Sequence, residues 1–145
     1  MATDPVMSFE GTLDELLGFE LLEADEEGAR GRFAVSDAVR QPMGLVHGGA
    51  YAAFAESLAS AATYSAVAAG GRIAMGQSNY TNFMRPVAEG TIQARATPVH
   101  RGRSTWLWDV EFTDDKGRLC ATTRVTVAVR SAGRSSRRSG SRSRS

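Results

Sequence analysis

Glu56 is the only charged side chain in a 22-residue stretch, Gly48 to Ala69, that is otherwise dominated by alanine. An unpaired carboxylate is costly to bury, so a charge in such a run needs an explanation. One reading places it on a solvated stripe or at an interface with an arginine. The other holds it in a partly dry pocket, where a carboxylate serves as nucleophile or general base. Just upstream, His47-Gly48-Gly49-Ala50 sets two glycines where the stretch begins. If a helix starts there, its first N–H groups have no intrahelical partner and no side chain shields them. Such a start suits an anion or a developing oxyanion, although a tight loop-to-helix junction would use the same residues. Glu56 lies eight residues past Gly48, which is ~12 Å along a helix. One carbonyl cannot touch both groups of one chain. A second copy with its helix alongside could bring one subunit's N–H to the other's carboxylate.

Other chemistry finds little support. His47, His100 and Cys120 follow no metal-ligand spacing, so no metal is expected. His100 falls at a strand end and is expected to face solvent. Gly-x-Ser-x-Gly and Walker-type phosphate loops do not occur. Trp106 and Trp108 share a strand face at period two, which predicts core packing rather than a substrate platform.

The elements that must position these groups are readable from periodicity. Thr12-Leu13-Asp14-Glu15 has a capping-box pattern and opens a short helix over Leu13, Leu16 and Leu17. Two strands follow at roughly residues 20–25 and 29–36, with Ala29, Gly31, Phe33 and Val35 alternating against Arg30 and Arg32. Gly48 to Ala69 reads as one helix, apolar on nearly every side and therefore surrounded. Gly70-Gly71 ends it. Glu56 and the hydroxyl side chains argue against a membrane span.

Four alternating strands complete the chain. In the first, Ile73, Met75, Gln77, Asn79 and Thr81 are expected on one face and Ala74, Gly76, Ser78 and Tyr80 on the other. In the rest, one alternating set opposes the other: Ile92, Ala94 and Ala96; then Trp106, Trp108, Val110 and Phe112; then Leu119, Ala121, Thr123, Val125, Val127 and Val129 against Cys120, Thr122, Arg124 and Arg130. Asp114-Asp115-Lys116-Gly117 turns between the last two. This order implies an α+β fold in which an antiparallel sheet packs on one central helix.

Composition bounds the rest. The 145 residues carry a formal net charge of +1, but residues 131–145 alone are +5 and residues 1–130 are −4. We read residues 1–130 as one domain and residues 131–145 as a disordered Arg/Ser-rich tail, because it has no apolar surface to bury. The tail could attract a polyanion, but without aromatic residues it offers no stacking platform, and no nucleic-acid partner is expected. A single cysteine excludes an intramolecular disulfide framework. The acidic start lacks the basic and apolar pattern of a signal peptide, so a cytoplasmic location is expected.

The stretch from Gln41 through His47-Gly48-Gly49-Ala50 to Ala55-Glu56-Ser57 resembles the signature of hotdog-fold acyl-CoA thioesterases, closest to the 4-hydroxybenzoyl-CoA thioesterase and PaaI-like branch. Gly76-Gln77-Ser78-Asn79, Arg85-Pro86-Val87, His100-Arg101-Gly102, the segment Ser104 to Val110 and Gly117 to Ala121 match in order. The resemblance spans residues 10–130.

It implies a sheet wrapped around one long central helix, paired into a homodimer or dimer-of-dimers tetramer. By position, Glu56 would be the catalytic carboxylate and the Gly48 N–H would polarise the thioester carbonyl, with Gln41, Ser60 and His47 in the same site. Arg85, Arg103, Ser104 and Thr105 would hold the nucleotide and phosphates of coenzyme A. Arg130 or Arg134 could assist, and Tyr80 and Phe83 could line an acyl pocket. No cofactor is implied, coenzyme A being part of the substrate. The implied activity is hydrolysis of an aromatic or medium-sized acyl-CoA. A non-catalytic acyl-CoA-binding or regulatory protein is the alternative.

Overall fold

The structure is a computed structural model and describes residues 7–133. Most of the Arg/Ser-rich tail expected from residue 131 lies outside the described residues. In chain order the elements are α1 (Leu13–Leu16), β1 (Glu20–Asp25), β2 (Gly28–Ala34), α2 (Gly48–Val67), β3 (Arg72–Phe83), β4 (Thr91–Arg101), β5 (Thr105–Thr113) and β6 (Leu119–Ser131). The strands form one antiparallel sheet in the order β1-β2-β4-β5-β6-β3, so β1 and β3 are its edges. This is the α+β arrangement expected from the alternating patterns.

Local chemistry explains most boundaries. Asp25 Oδ1 accepts from the Glu27 and Gly28 N–H groups and closes the β1–β2 hairpin. Asp114 does the same for the β5–β6 turn, accepting from the Lys116 and Arg118 N–H groups. After α2 a short 3₁₀ turn (Ala68–Gly70) leads to Gly71, whose φ of 72° is the left-handed conformation that favours glycine. The expected capping box does not form at α1. The Thr12 side chain makes no cap bond, and Glu15 reaches the Gly11 N–H instead.

The sheet's inner face carries the core. Phe33, Ile92, Trp108, Val110, Phe112, Val125 and Val127 are fully buried or nearly so, facing Phe54 and Leu58 of α2. Each such side chain contributes about 1.5–3 kcal/mol by leaving water. Gly31 is glycine because α2 comes so near: a β-carbon there would lie 2.4 Å from the Phe54 ring. The helix is not enclosed as its apolar sequence suggested. The sheet covers one side, and Glu56, Tyr64 and Ser65 are exposed. Ser57 meets Asp14 of α1.

One expected pattern fails for a definite reason. The β3–β6 register slips between Gly76 and Ser78, leaving Gln77 as an extra residue. Before the bulge Ala74 and Gly76 pair with buried Val129 and Val127; after it Asn79, Thr81 and Phe83 pair with buried Val125, Thr123 and Ala121. Ile73 and Met75 therefore do not share a face with Asn79 and Thr81.

The core also holds one polar relay. Trp108 Nε1–H donates to Thr63 Oγ1 at 2.9 Å, and that hydroxyl donates to Ala59 O at 2.8 Å. Thr63→Val should strand the buried indole N–H and lower unfolding free energy by about 1–3 kcal/mol, measurable by urea denaturation.

Candidate active site

The loop before α2 is fastened at several points. Gln41 N–H donates to Leu45 O at 2.8 Å, Gly44 N–H to Gln41 O at 2.9 Å, and the Gln41 Oε1 accepts from the Met43 N–H. The Gln41 amide nitrogen keeps its hydrogens unpaired among the described residues. Val46 N–H donates to Val87 O and His47 N–H to Val39 O, which sets where the helix begins.

His47 is the N-cap. Its Nδ1 accepts from the Gly49 N–H at 2.8 Å, and its carbonyl accepts from the Ala50 N–H at 3.0 Å. His47 thereby caps the helix and satisfies two of its first donors. The Gly48 N–H is left with no partner among the described residues. The Phe83 ring packs close to Gly48 and would stand 2.5 Å from a β-carbon at that position.

Beside it is a cleft of about 330 Å³, lined by Gln41, Gly48, Tyr51, Phe83, Arg85 and Val87 among others. Tyr51 stands out. It packs against Phe33, Phe83 and Phe112, is buried, and its hydroxyl has no partner among the described residues. Burial, with the nearby Cys120 and Asp114 groups, pushes the phenol pKa well above its ordinary value. Burial likewise raises that of the Cys120 thiol. Tyr51 was not singled out by its sequence pattern. The signal was there: it is the one phenol within a turn of Gly48 on an alanine-rich helix.

Glu56 is two turns further on. In the single chain its carboxylate is exposed, makes no salt bridge among the described residues, and rests on Gly76 of edge strand β3. Of its two readings, the single chain displays the solvated one. Ser60, one turn later, has its hydroxyl buried and without a partner among the described residues.

The residues expected to bind coenzyme A are not together in one chain. Arg85 sits at the start of β6, its N–H donating to Cys120 O at 3.1 Å. Arg103 and Ser104 lie at the far end, where Val129 N–H donates to Ser104 O at 2.9 Å, beside Thr105 at the head of β5. Nine residues of extended strand separate these points, ~30 Å. Arg130 and Arg72 hold the Arg103–Ser104 turn by donating to its carbonyls. Tyr80 and Phe83 also separate, because three residues of strand put them on opposite faces. Phe83 borders the cleft, while Tyr80 joins Asp109 and Arg124 on the outer face. His100 is exposed and Trp106 and Trp108 are buried, stacked at 5.9 Å. Among the described residues no three His, Cys, Asp or Glu side chains gather as a metal site. No helix there is long and apolar enough to cross a membrane.

Known proteins share this arrangement. Residues 43–121, from the loop before α2 to the start of β6, match the family model described as the Thioesterase superfamily. The proofreading thioesterase EntH of Cronobacter turicensis is 35% identical over 119 residues, covering 82% of this chain and 86% of that one. The structure of thioesterase PA1618 from Pseudomonas aeruginosa, a glutamine-to-alanine variant, superposes with a TM-score of 0.80 at 32% identity, covering 83% of this chain and 87% of that one. SAV0944 from Staphylococcus aureus, described as a thioesterase enzyme, gives a TM-score of 0.77 at 30% identity, covering 81% and 98%. It has been solved as a glutamate-to-alanine and as a glutamine-to-alanine variant, and the two substituted residues stand 15 apart in its chain. The six-stranded sheet on one long helix, the helix start beside its cleft and these matches agree: the chain belongs to the thioesterase superfamily and is a thioester hydrolase of the hotdog fold.

Proposed function

We propose that this thioesterase hydrolyses acyl-CoA with an aromatic or similar medium-sized acyl group, 4-hydroxybenzoyl-like or phenylacetyl-like, to the free acid and coenzyme A. The unpaired Gly48 N–H at the head of an apolar cleft carries this reading. An N–H at a helix start stabilises charge that develops on the thioester oxygen, and it does so without reorganisation. The Gln41 amide nitrogen, on the same cleft, offers a second donor. The rings of Tyr51 and Phe83 suit an aryl group, and the buried phenol offers a hydrogen bond to a polar ring substituent.

Glu56 then supplies the attack, as nucleophile or as general base. In direct attack, a carboxylate oxygen bonds to the acyl carbon, the C–S bond breaks, and the thiolate leaves and is protonated. Water hydrolyses the resulting mixed anhydride and restores Glu56. In the alternative, Glu56 takes a proton from the attacking water. The S. aureus variants support the pairing of groups, because Gln41 and Glu56 are also 15 residues apart.

The site requires a second copy of the chain. Strand β3 is an open edge with exposed Met75, Tyr80 and Phe83 beside it, a ready template for pairing. β3 runs antiparallel along α2, with Gly76 at Glu56 and Phe83 at Gly48. A two-fold axis midway between them, at Asn79–Tyr80, sets Gly76 of one copy opposite Phe83 of the other. Glu56 thereby meets the second copy's Gly48. The same operation brings Arg85 towards the other copy's Arg103–Ser104 turn, which one chain holds ~30 Å away.

Thiol release across aryl-, phenylacetyl- and straight-chain acyl-CoA thioesters tests the substrate class, and preference for straight chains would sink it. No hydrolysis across the panel, with coenzyme A still bound, would favour a non-catalytic acyl-CoA-binding protein. Arg85→Ala should raise KM for the best acyl-CoA about tenfold with little change in kcat. It should leave hydrolysis of the matching N-acetylcysteamine thioester, which has no nucleotide, unaltered.

A further inference from the structure

The segment Gly76-Gln77-Ser78-Asn79 has no chemistry of its own in this reading, yet Glu56 rests on it. A β-carbon at Gly76 would lie 2.5 Å from Glu56 Oε1, 2.7 Å from its Cγ and 2.9 Å from its Cδ. Only hydrogen fits between strand and carboxylate. The backbone does not itself demand glycine here, because Gly76 is not among the positive-φ glycines. The missing side chain is what matters, not a conformation only glycine can reach.

Asn79 fixes the other side of the same helix turn. Its Nδ2 donates to Ala52 O at 2.9 Å, the carbonyl four residues before Glu56. Its Oδ1 accepts from Thr81 Oγ1 at 2.7 Å, and the Thr81 and Thr123 hydroxyls meet at 3.0 Å, which anchors Asn79 to β6. In a regular strand residues 76 and 79 project to opposite faces. The bulge at Gln77 turns both towards α2.

We propose that Gly76, the Gln77 bulge and Asn79 form a seat that positions the Glu56 carboxylate. Gly76 is a positioning residue that leaves the carboxylate its space, and Asn79 is one that fixes the height of its helix turn. The inference rests on the reading of Glu56 as the attacking group. Because the carboxylate is the free end of a flexible, exposed side chain, a methyl group at position 76 displaces it rather than the strand or the helix. Misplacing a catalytic group by about 1 Å can cost on the order of 10²-fold in rate.

The test compares wild type with Gly76→Ala, Glu56→Asp and the double variant on the best acyl-CoA, measuring kcat, KM and Tm. Gly76→Ala should lower kcat about 10²-fold with KM within about twofold. Its Tm should shift by no more than a few degrees, the effect of about 1 kcal/mol in a domain of this size. Aspartate is shorter by one methylene, so it relieves the contact. The double variant should therefore lose far less than the product of the two single losses. Wild-type kcat in Gly76→Ala, or losses that multiply, would overturn the proposal. Should Gly76→Ala fail to fold, Asn79→Ala keeps Gly76 and removes the fastening; it should lower kcat about tenfold at unchanged KM, and an unchanged kcat there would overturn it too. Failure of the underlying reading shows separately, because Glu56→Ala would then retain turnover with Gly76 intact.

Discussion

Glu56→Ala is expected to lower kcat for thioester hydrolysis by about a thousandfold or more, with KM for the acyl-CoA changed little. A thioester is already an activated acyl group, so hydrolysis needs chiefly a stabilised oxyanion and an attacker. In the proposed mechanism the helix start supplies the first, and Glu56 is the only ionisable side chain on α2 besides Tyr51 and Tyr64. Removing the attacker should leave binding intact, because the cleft and the basic groups proposed to take the acyl and nucleotide portions lie elsewhere. A thousandfold loss is about 4 kcal/mol of transition-state stabilisation. Glu56→Gln should fall about as far, since the amide keeps the shape but neither attacks nor accepts a proton. Stability should hardly move, because the carboxylate is exposed and makes no ion pair among the described residues. Near-wild-type turnover in Glu56→Ala would remove this side chain from the mechanism.

The second large effect comes from mixing variants. If each site joins Gly48 and Gln41 of one copy to Glu56 of the other, Gln41→Ala and Glu56→Ala dimers are each impaired at both sites. A hybrid dimer gathers both lesions in one site and leaves the other intact. Unfolding and refolding the two impaired proteins together at equal amounts should raise activity to at least about one quarter of wild type, because half the dimers are hybrids with one good site each. If the site lay within one chain, every site would keep a lesion and mixing would restore nothing. Size-exclusion chromatography of the same samples checks that dimers form.

The features that could be read from the chain alone are those governed by short-range rules. Alternation predicted the inner faces of β2, β4 and β5 because the side-chain period of a strand is two wherever the ladder is regular. Glycine and acidic turns marked the hairpins, and the alanine-rich run between His47 and Gly71 marked α2, which ends at Val67 with a short 3₁₀ turn after it. Glu56 and the Gly48 helix start were conspicuous because residue type alone made them costly or useful there.

What escaped depended on which strand lies beside which element. Two-fold alternation cannot show a bulge, and the one at Gln77 decides that Gly76, Asn79 and Phe83 all face α2 while Tyr80 faces away. A glycine inside a strand was the available hint. The exposed side of α2 is hidden in its sequence for a related reason: small residues permit close approach, but only the sheet determines which side receives it. The Tyr51 hydroxyl, unpartnered among the described residues, and the distance between Arg85 and Arg103 are properties of packing across residues far apart in the chain. Sequence therefore determined the fold class and the chemically capable residues, through local periodicity and the cost of burying charge. Tertiary structure decided which of them lie together in one chain, because a bulge turns Gly76 and Asn79 to one face and the length of one strand holds Arg85 and Arg103 apart.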